Sequence, residues 1–222
     1  MMSFQEQAMQ LFTYNNMKFL LNGLGLTLYI SLIAIVLSTI FGTVLAIWRA
    51  RSSTLLKWLA IIYIEVVRNV PNILWIFVIF LIFRLKSVEA GIVSFTVFTT
   101  AAMAEIIRGG LNSVNTGEVE AAESQGLKSY QIMWHIILPQ AFRNMLPSII
   151  SQFVTVIKDT SFLYSVLALQ ELLGKANILM GRYSTTNQVF MLYGLLALIY
   201  FAVNFSISSF SRHLEKSWKH TK

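Results

Sequence analysis

Charged side chains inside long apolar runs are the residues of this sequence whose types and positions could do chemistry. Their number is small, because only 12% of the chain is charged. A charge within hydrocarbon costs at least about 2.5 kcal/mol, so each one needs a partner, a water-filled cavity or a function. The charges that fall inside apolar runs are Glu65 with Arg68, Glu105 with Arg108, and Lys158 with Asp159.

The spacing of these charges predicts how they are neutralised. Residues three apart share one helical face, so the first two acid and arginine pairs can each form an internal ion pair. Such a pair either fixes helix packing or belongs to a polar pathway, and the sequence leaves both readings open. Lys158 and Asp159 are adjacent and point in different directions, so at least one should meet the interior of a helix bundle or an interface.

The composition is that of an integral membrane protein. The chain has 222 residues, of which 56% are hydrophobic, and its mean hydropathy is +0.65. Soluble domains carry about twice the charged fraction found here. The net charge of +7 lies largely at the ends of apolar segments, which favours a role in membrane orientation over nucleic-acid binding. The chain has no cysteine and its three histidines lack ligand spacing, so no metal site is expected.

Five apolar segments predict an all-α membrane protein of one domain, residues 1–222. The second segment has a polar, proline-broken middle, Glu65 to Asn72, and is interpreted as one broken span. A mixed stretch from Gln170 to Gln188 is predicted as an outer loop. The five predicted spans are about Leu24 to Trp48, Leu55 to Phe83, Ala90 to Ile107, Ala141 to Leu169 and Val189 to Phe210.

Basic clusters predict the orientation of the chain. Lysine and arginine accumulate on the cytoplasmic side of membrane proteins. This rule places the N-terminus outside and the C-terminus in the cytoplasm. The two clusters are Arg49, Arg51 and Lys57 after the first span, and Arg212, Lys216, Lys219 and Lys222 in the C-terminal tail.

A polar interruption at residues 115–139, between the third and fourth spans, predicts two short helices joined at a glycine. Asn115 or Thr116 can cap the first helix, and Gly126 is a stop signal. The second helix is expected to start near Ser129 and to end before Pro139, which has no N–H and restricts the residue before it. We refer to residues 115–139 as the bracket.

The bracket resembles the EAA loop of bacterial ATP-binding cassette importer permeases. The matching residues are Glu120, Ala121, Ala122, Gly126, Ile136, Leu138 and Pro139, each at the spacing of that pattern. Flanking stretches resemble the polar amino acid branch of these permeases, and the likeness covers most of the chain. These stretches are Ala104-Glu105-Ile106, Arg108-Gly109-Gly110 and Lys158-Asp159-Thr160-Ser161.

The resemblance implies a permease subunit for a polar amino acid such as glutamate, glutamine or aspartate, in the bacterial cell membrane. It implies that the seven matching bracket residues couple to an ATPase in the cytoplasm. The implied partners are an ATP-binding cassette ATPase dimer, a second permease subunit that is identical or paralogous, an extracytoplasmic solute-binding protein, and membrane lipid, with no nucleic acid. ATP and Mg²⁺ belong to the partner ATPase, and this chain binds no cofactor.

No enzymatic constellation is found in the sequence. A phosphate-binding glycine loop ending in Lys-Ser or Lys-Thr is absent, so the chain is not expected to hydrolyse ATP alone. A G-x-S-x-G nucleophile motif is absent as well.

An amino acid in transit carries a carboxylate and an ammonium, which favour a cation and an anion in the pathway. Arg68 with Asn69, and Glu65 opposite, could supply these charges, and the broken backbone near Pro71 could add free polar groups. The candidate pathway residues are Glu65, Arg68, Asn69, Glu105, Arg108, Lys158 and Asp159.

Two alternative functions remain open at this point. A permease for another small polar solute would keep the bracket and change the intramembrane polar residues. An ion-coupled secondary carrier would need no bracket and would show repeated halves, which the sequence lacks. The bracket itself could also be an ordinary cytosolic connector.

Overall fold

A computed structural model describes residues 3–51 and 54–219, except for the side chains of Arg51 and residues 217–219. Lys222 of the C-terminal basic cluster therefore lies outside the described residues, and the side chain of Lys219 is not described. The helices are α1 (Phe4–Leu11), α2 (Tyr14–Arg51), α3 (Thr54–Asn69), α4 (Asn72–Phe83), α5 (Ser87–Leu111), α6 (Thr116–Ser124), α7 (Ser129–Ile132), a π-helical turn (Met133–Ile137), α8 (Leu138–Asp159), α9 (Phe162–Leu167), α10 (Leu172–Arg182) and α11 (Thr186–Lys219).

The all-α membrane fold is confirmed. Three helices are long and apolar enough to cross a bilayer, namely Tyr14–Ala50, Ser87–Leu111 and Thr186–Lys216. The pair α3 and α4 passes the same test when taken together, which gives four candidate spans in the described part of the chain. The fourth predicted span is helical in α8 but carries Arg143, Lys158 and Asp159. The count of five spans therefore stays a prediction.

The predicted break in the second span is confirmed at Pro71. Helix α3 ends at Asn69 and α4 begins at Asn72, with Pro71 as the N-cap in an extended conformation (φ −55°, ψ 135°). Proline has no N–H and disfavours helical geometry in the residue before it, so the helix stops here.

The described chain divides into two compact units. Unit 1 contains Met1–Ile35, Pro71–Thr96 and Val154–Ser206, and unit 2 contains Val36–Val70, Val97–Phe153 and Ile207–Lys222. Four of the five boundaries fall inside α2, α5, α8 and α11, and the fifth falls between α3 and α4, at Val70 and Pro71.

Unit 1 is organised around an apolar core and a buried carboxylate. Glu171 has no exposed surface and accepts hydrogen bonds from the backbone N–H groups of Leu173 (2.9 Å) and Gly174 (2.8 Å). The hydroxyls of Thr27 (3.3 Å) and Tyr200 (3.4 Å) donate to the same carboxylate. One side chain therefore ties together α2, α10 and α11. The core residues are Leu11, Leu20, Leu172, Ala176, Leu179, Leu192 and Leu196.

The predicted outer loop contains an 11-residue helix, α10. Glu171 is its N-cap and satisfies the first N–H groups, which is the local reason the helix starts at Leu172. Burial raises the pKa of the Glu171 carboxyl above its usual range, while its four hydrogen-bond donors act in the opposite direction.

In unit 2, α2, α3, α5 and α8 approach each other closely. A Cβ on Gly42 would lie 2.6 Å from the Met103 Cβ, so α2 and α5 can meet here only because position 42 has no side chain. Tyr63 donates from its hydroxyl to the Val97 carbonyl at 2.8 Å, which joins α3 to α5. These contacts place the ends of α2, α3 and α5 around one charged cluster.

Candidate functional site

The first half of the bracket has the predicted helix and stop. The Asn115 side chain accepts a hydrogen bond from the Gly117 N–H at 2.9 Å and caps α6. At the other end, Gly126 donates to the Glu123 carbonyl at 2.9 Å. Leu127 donates to the Ala122 carbonyl at 3.2 Å. These two bonds form a Schellman motif, which requires the left-handed backbone that Gly126 adopts at φ +81°.

The second half of the bracket differs from the prediction at Pro139. Helix α7 starts at Ser129 as predicted, but the helical path continues through a π-helical turn and into α8, which contains Pro139. The predicted end before Pro139 is therefore wrong. The reason is the wider turn, in which the Leu138 N–H donates to the carbonyl of Met133, five residues back. This extra residue per turn relieves the clash that a proline ring makes in a regular helix.

Side-chain contacts attach the bracket to the first turns of α8. Gln140 donates to the Glu118 carboxylate of α6. Asn144 donates to the Ser113 hydroxyl at 2.8 Å. A Cβ on Gly110 would lie 2.7 Å from the Met145 Cβ, so the end of α5 also packs closely on α8. Gln140 therefore attaches the bracket to α8, and the other two contacts hold the segment just before the bracket against the same helix.

The predicted coupling residues divide into exposed and buried positions. Ala122 is only 6% exposed and faces the inside of unit 2, so its small size serves packing within this chain. Ile136 and Leu138 are half-buried. The exposed positions, which are free to meet a partner, are Glu120, Ala121, Gly126 and Pro139.

A second polar site in unit 2 is centred on the Glu105 carboxylate. Arg108 donates from Nε (3.1 Å) and Nη2 (2.8 Å) to Glu105 Oε2, which confirms the predicted pair. Arg49 donates to the other oxygen, Oε1. Arg68 lies 3.7 Å from Oε2. We call these four residues the Glu105 cluster.

The predicted pair of Glu65 with Arg68 is wrong. The Arg68 guanidinium reaches Glu105 on a different helix. The Asn69 amide donates to the Glu65 carbonyl at 2.7 Å and lies 3.5 Å from its carboxylate. Arg49 was interpreted only as an orientation charge, and its contact with Glu105 has no signal in a sequence pattern because the two residues are 56 positions apart.

A third polar site, in unit 1, joins the end of α8 to the start of α4. The Asn72 amide donates to the Asp159 carboxylate at 3.3 Å, and Asp159 is half-buried while Lys158 is exposed. This confirms the prediction that at least one member of the adjacent pair meets the interior. Asn72 was predicted only as part of the polar break, and its position in that break was the signal that could have identified it.

Comparisons with known proteins identify the family of this chain. The model of the family described as "Binding-protein-dependent transport system inner membrane component" matches residues 38–220. "Probable glutamine ABC transporter permease protein GlnP" of Bacillus subtilis is 39% identical over 209 residues, covering 92% of this chain and 95% of that protein. "Glutamate/aspartate import permease protein GltK" of Escherichia coli is 33% identical over 214 residues, covering 90% and 94%.

A solved structure shows the same fold over almost the whole chain. It is described as an amino acid ABC transporter with histidines, and it aligns with a TM-score of 0.85 at 27% identity. The alignment covers 98% of this chain and 99% of that one. With the match of the family model, these likenesses identify a multi-pass membrane protein: the chain belongs to the family of binding-protein-dependent transport system inner membrane components.

Proposed function

We propose that this chain is the permease subunit of an ATP-driven importer for a polar amino acid of the glutamine, glutamate or aspartate type. The substrate class is supported by GlnP and GltK, whose names give glutamine and glutamate/aspartate. The observation that carries the coupling role is the bracket, a capped helix with a Schellman stop whose Glu118 side chain accepts a hydrogen bond from Gln140 of α8. The exposed bracket residues meet an ATPase cleft in this proposal, and the chain itself supplies no catalytic group.

The assembled importer then contains two ATPases, two permease subunits and an extracytoplasmic solute-binding protein. ATP and Mg²⁺ are held by the ATPases, whose closure pushes the bracket. Because Gln140 bonds to Glu118 of the bracket, movement of the bracket is transmitted to the first turn of α8. The last residue of α8 is Asp159, so one helix carries the coupling contacts at its start and a polar pathway candidate at its end.

The direct test is reconstitution of the chain with its ATPase and binding protein in proteoliposomes. Uptake of a panel of radiolabelled amino acids should require ATP and the binding protein, and should be highest for one of the polar amino acids. If the complex takes up other small polar solutes and no amino acid, the alternative of a permease for another small polar solute is favoured. Uptake that follows an ion gradient without ATP would favour an ion-coupled carrier.

Cysteine labelling tests the proposed orientation, with the N-terminus outside and the C-terminus cytoplasmic. The chain has no native cysteine, so single cysteines at the exposed positions Ser184 and Ser124 give unambiguous signals. An impermeant maleimide added to intact cells should label Ser184→Cys, and Ser124→Cys in the bracket only after permeabilisation. The reverse pattern would invert the topology. Ser53, which the basic cluster also places inside, lies outside the described residues.

Asp159 is the pathway residue that we propose contacts the substrate ammonium. Its carboxylate is half-buried and has one amide neighbour, Asn72, at 3.3 Å. We expect Asp159→Asn to assemble with the ATPase and to lower uptake at least about tenfold, since loss of one charged hydrogen bond is worth roughly 1.5–3 kcal/mol. Lys158→Gln, at the exposed neighbour, should transport normally.

Equal uptake by Asp159→Asn and the wild-type chain would remove the substrate role. Uptake is measured in proteoliposomes at several substrate concentrations, with the ATPase content of each preparation determined. The candidates Glu65, Arg68, Asn69, Glu105 and Arg108 stay predictions. Lys158 was also predicted as a pathway residue, but its side chain is exposed and we do not expect it to contact the substrate.

A further inference from the structure

The Glu105 cluster carries more positive charge than it neutralises. Three guanidinium groups, those of Arg49, Arg68 and Arg108, face one carboxylate. Within the described residues, no second carboxylate lies within ion-pair distance of these arginines. Glu65, the carboxylate closest to Arg68 in the sequence, is exposed and lies beside the Asn69 amide. Two positive charges therefore remain without a counter-charge.

Several donors of the cluster are unused, and Arg68 has the most. Its guanidinium makes an ion pair at 3.7 Å with Glu105, which is too long for a hydrogen bond, and its side chain is 49% exposed. Arg49 donates to Glu105 through Nη1 alone. Arginine presents up to five N–H donors in a planar fork, so both side chains can bind another oxygen ligand while keeping their contact with Glu105.

The position of the cluster in the candidate spans indicates which oxygen ligands it can reach. Arg49 is two residues before the end of α2, and Glu105 is six residues before the end of α5 at Leu111. Six residues correspond to about 9 Å along a helix axis. Both helices are candidate membrane spans. The cluster thus lies near the ends of two candidate spans. The end of a span lies near the lipid headgroups when the helix crosses a bilayer, and long arginine side chains there extend towards them.

We propose that Arg49, Arg68 and Arg108 form a binding site for a phosphate oxyanion, supplied by the headgroup of an anionic phospholipid. Glu105 neutralises one of the three positive charges, and the remaining excess charge holds the phosphate through charge-assisted hydrogen bonds. This site goes beyond the transport function and does not depend on the identity of the amino acid carried. A free phosphate ion offers the same chemistry, so the test must separate the two sources.

Lipid retention by the full chain in detergent is measured by native mass spectrometry after mixing with phosphatidylglycerol or phosphatidylcholine. The wild-type chain should retain phosphatidylglycerol in preference. Arg68→Gln should weaken this retention about fivefold, since one arginine near an anionic surface contributes about 1 kcal/mol. Lys57→Gln removes an exposed cation of the same helix outside the cluster and should leave retention unchanged.

Glu105→Gln separates ligand binding from a purely structural ion-pair network. Removing the carboxylate increases the excess charge, so retention of phosphatidylglycerol should be equal or stronger, whereas disruption of a merely structural network would reduce it. Inorganic phosphate is titrated in parallel against the unfolding temperature. If phosphate stabilises the wild-type chain but not Arg68→Gln, and neither lipid is retained in preference, the site binds a free phosphate ion and not a lipid. The proposal is overturned if both lipids are retained equally and phosphate has no effect on the unfolding temperature. It is also overturned if Arg68→Gln retains phosphatidylglycerol as strongly as the wild-type chain.

Discussion

Replacement of Gly126 by valine is expected to lower ATP-driven uptake roughly five- to thirtyfold while the protein still reaches the membrane. Gly126 adopts φ +81°, and a Cβ at this position would meet no atom within 4 Å. The free-energy cost of replacing Gly126 therefore comes from the backbone conformation and not from steric crowding. A left-handed backbone costs a non-glycine residue about 1–2 kcal/mol, and more for a β-branched one. An energy of one to two kcal/mol shifts a two-state population by a factor of about 5–30.

The measurement is uptake and ATP hydrolysis by reconstituted complexes containing Gly126→Val. Gly126→Asn is the matched control, because asparagine tolerates the left-handed region and should keep most of the wild-type uptake. A valine variant that transports like wild type would show that the Schellman stop is not needed for coupling. Equal losses in both variants would point to side-chain volume at the partner surface as the cause.

Replacement of Glu171 by leucine is expected to destabilise the chain by about 2–4 kcal/mol. Leucine keeps most of the volume and removes all acceptors, so the buried N–H groups of Leu173 and Gly174 lose their partner. Loss of an N-cap costs about 0.5–2 kcal/mol, and an unsatisfied buried donor costs about 1–3 kcal/mol. The hydroxyls of Thr27 and Tyr200 lose the same acceptor, which loosens the contact of α2 and α11 with α10.

The unfolding temperature of the full chain in detergent, followed by tryptophan fluorescence, measures this effect. Gln170→Leu is the matched control, since Gln170 is the exposed neighbour and should leave the unfolding temperature within error of wild type. Glu171→Gln keeps one acceptor oxygen and should fall between the two. If Glu171→Leu is as stable as wild type, the free-energy cost of burying the carboxylate is equal to the stabilisation from its four hydrogen bonds.

Local signals in the sequence determined the class of fold and the outline of the bracket. Long apolar runs predicted membrane helices because a span must satisfy its backbone within itself and bury about 20 apolar residues. The stop at Gly126 was predictable because a left-handed backbone favours glycine, and the break at Pro71 because proline lacks an N–H. Each of these properties is set by a residue and its immediate neighbours.

Local signals failed where a neighbouring turn or a distant residue decided the outcome. Pro139 was predicted to end a helix, but the π-helical turn before it accommodates the ring. The stretch from Gln170 to Gln188 was predicted as an outer loop, and its helix α10 was not foreseen because the cap from Glu171 is fixed by the distant residues Thr27 and Tyr200. A proline or a mixed composition is a weak predictor when packing supplies the missing hydrogen bonds.

Tertiary structure decided which charges on different helices meet. The sequence paired Arg68 with Glu65, three residues away, because helical neighbours can interact. In the folded chain Arg68 and Arg49 both reach Glu105. The close approach at Gly42 brings α2 to α5, and the hydrogen bond from Tyr63 joins α3 to α5. An arginine side chain is long enough to reach carboxylates on several helices. The electrostatic energy depends on the distance between the charges in space and not on their separation along the chain.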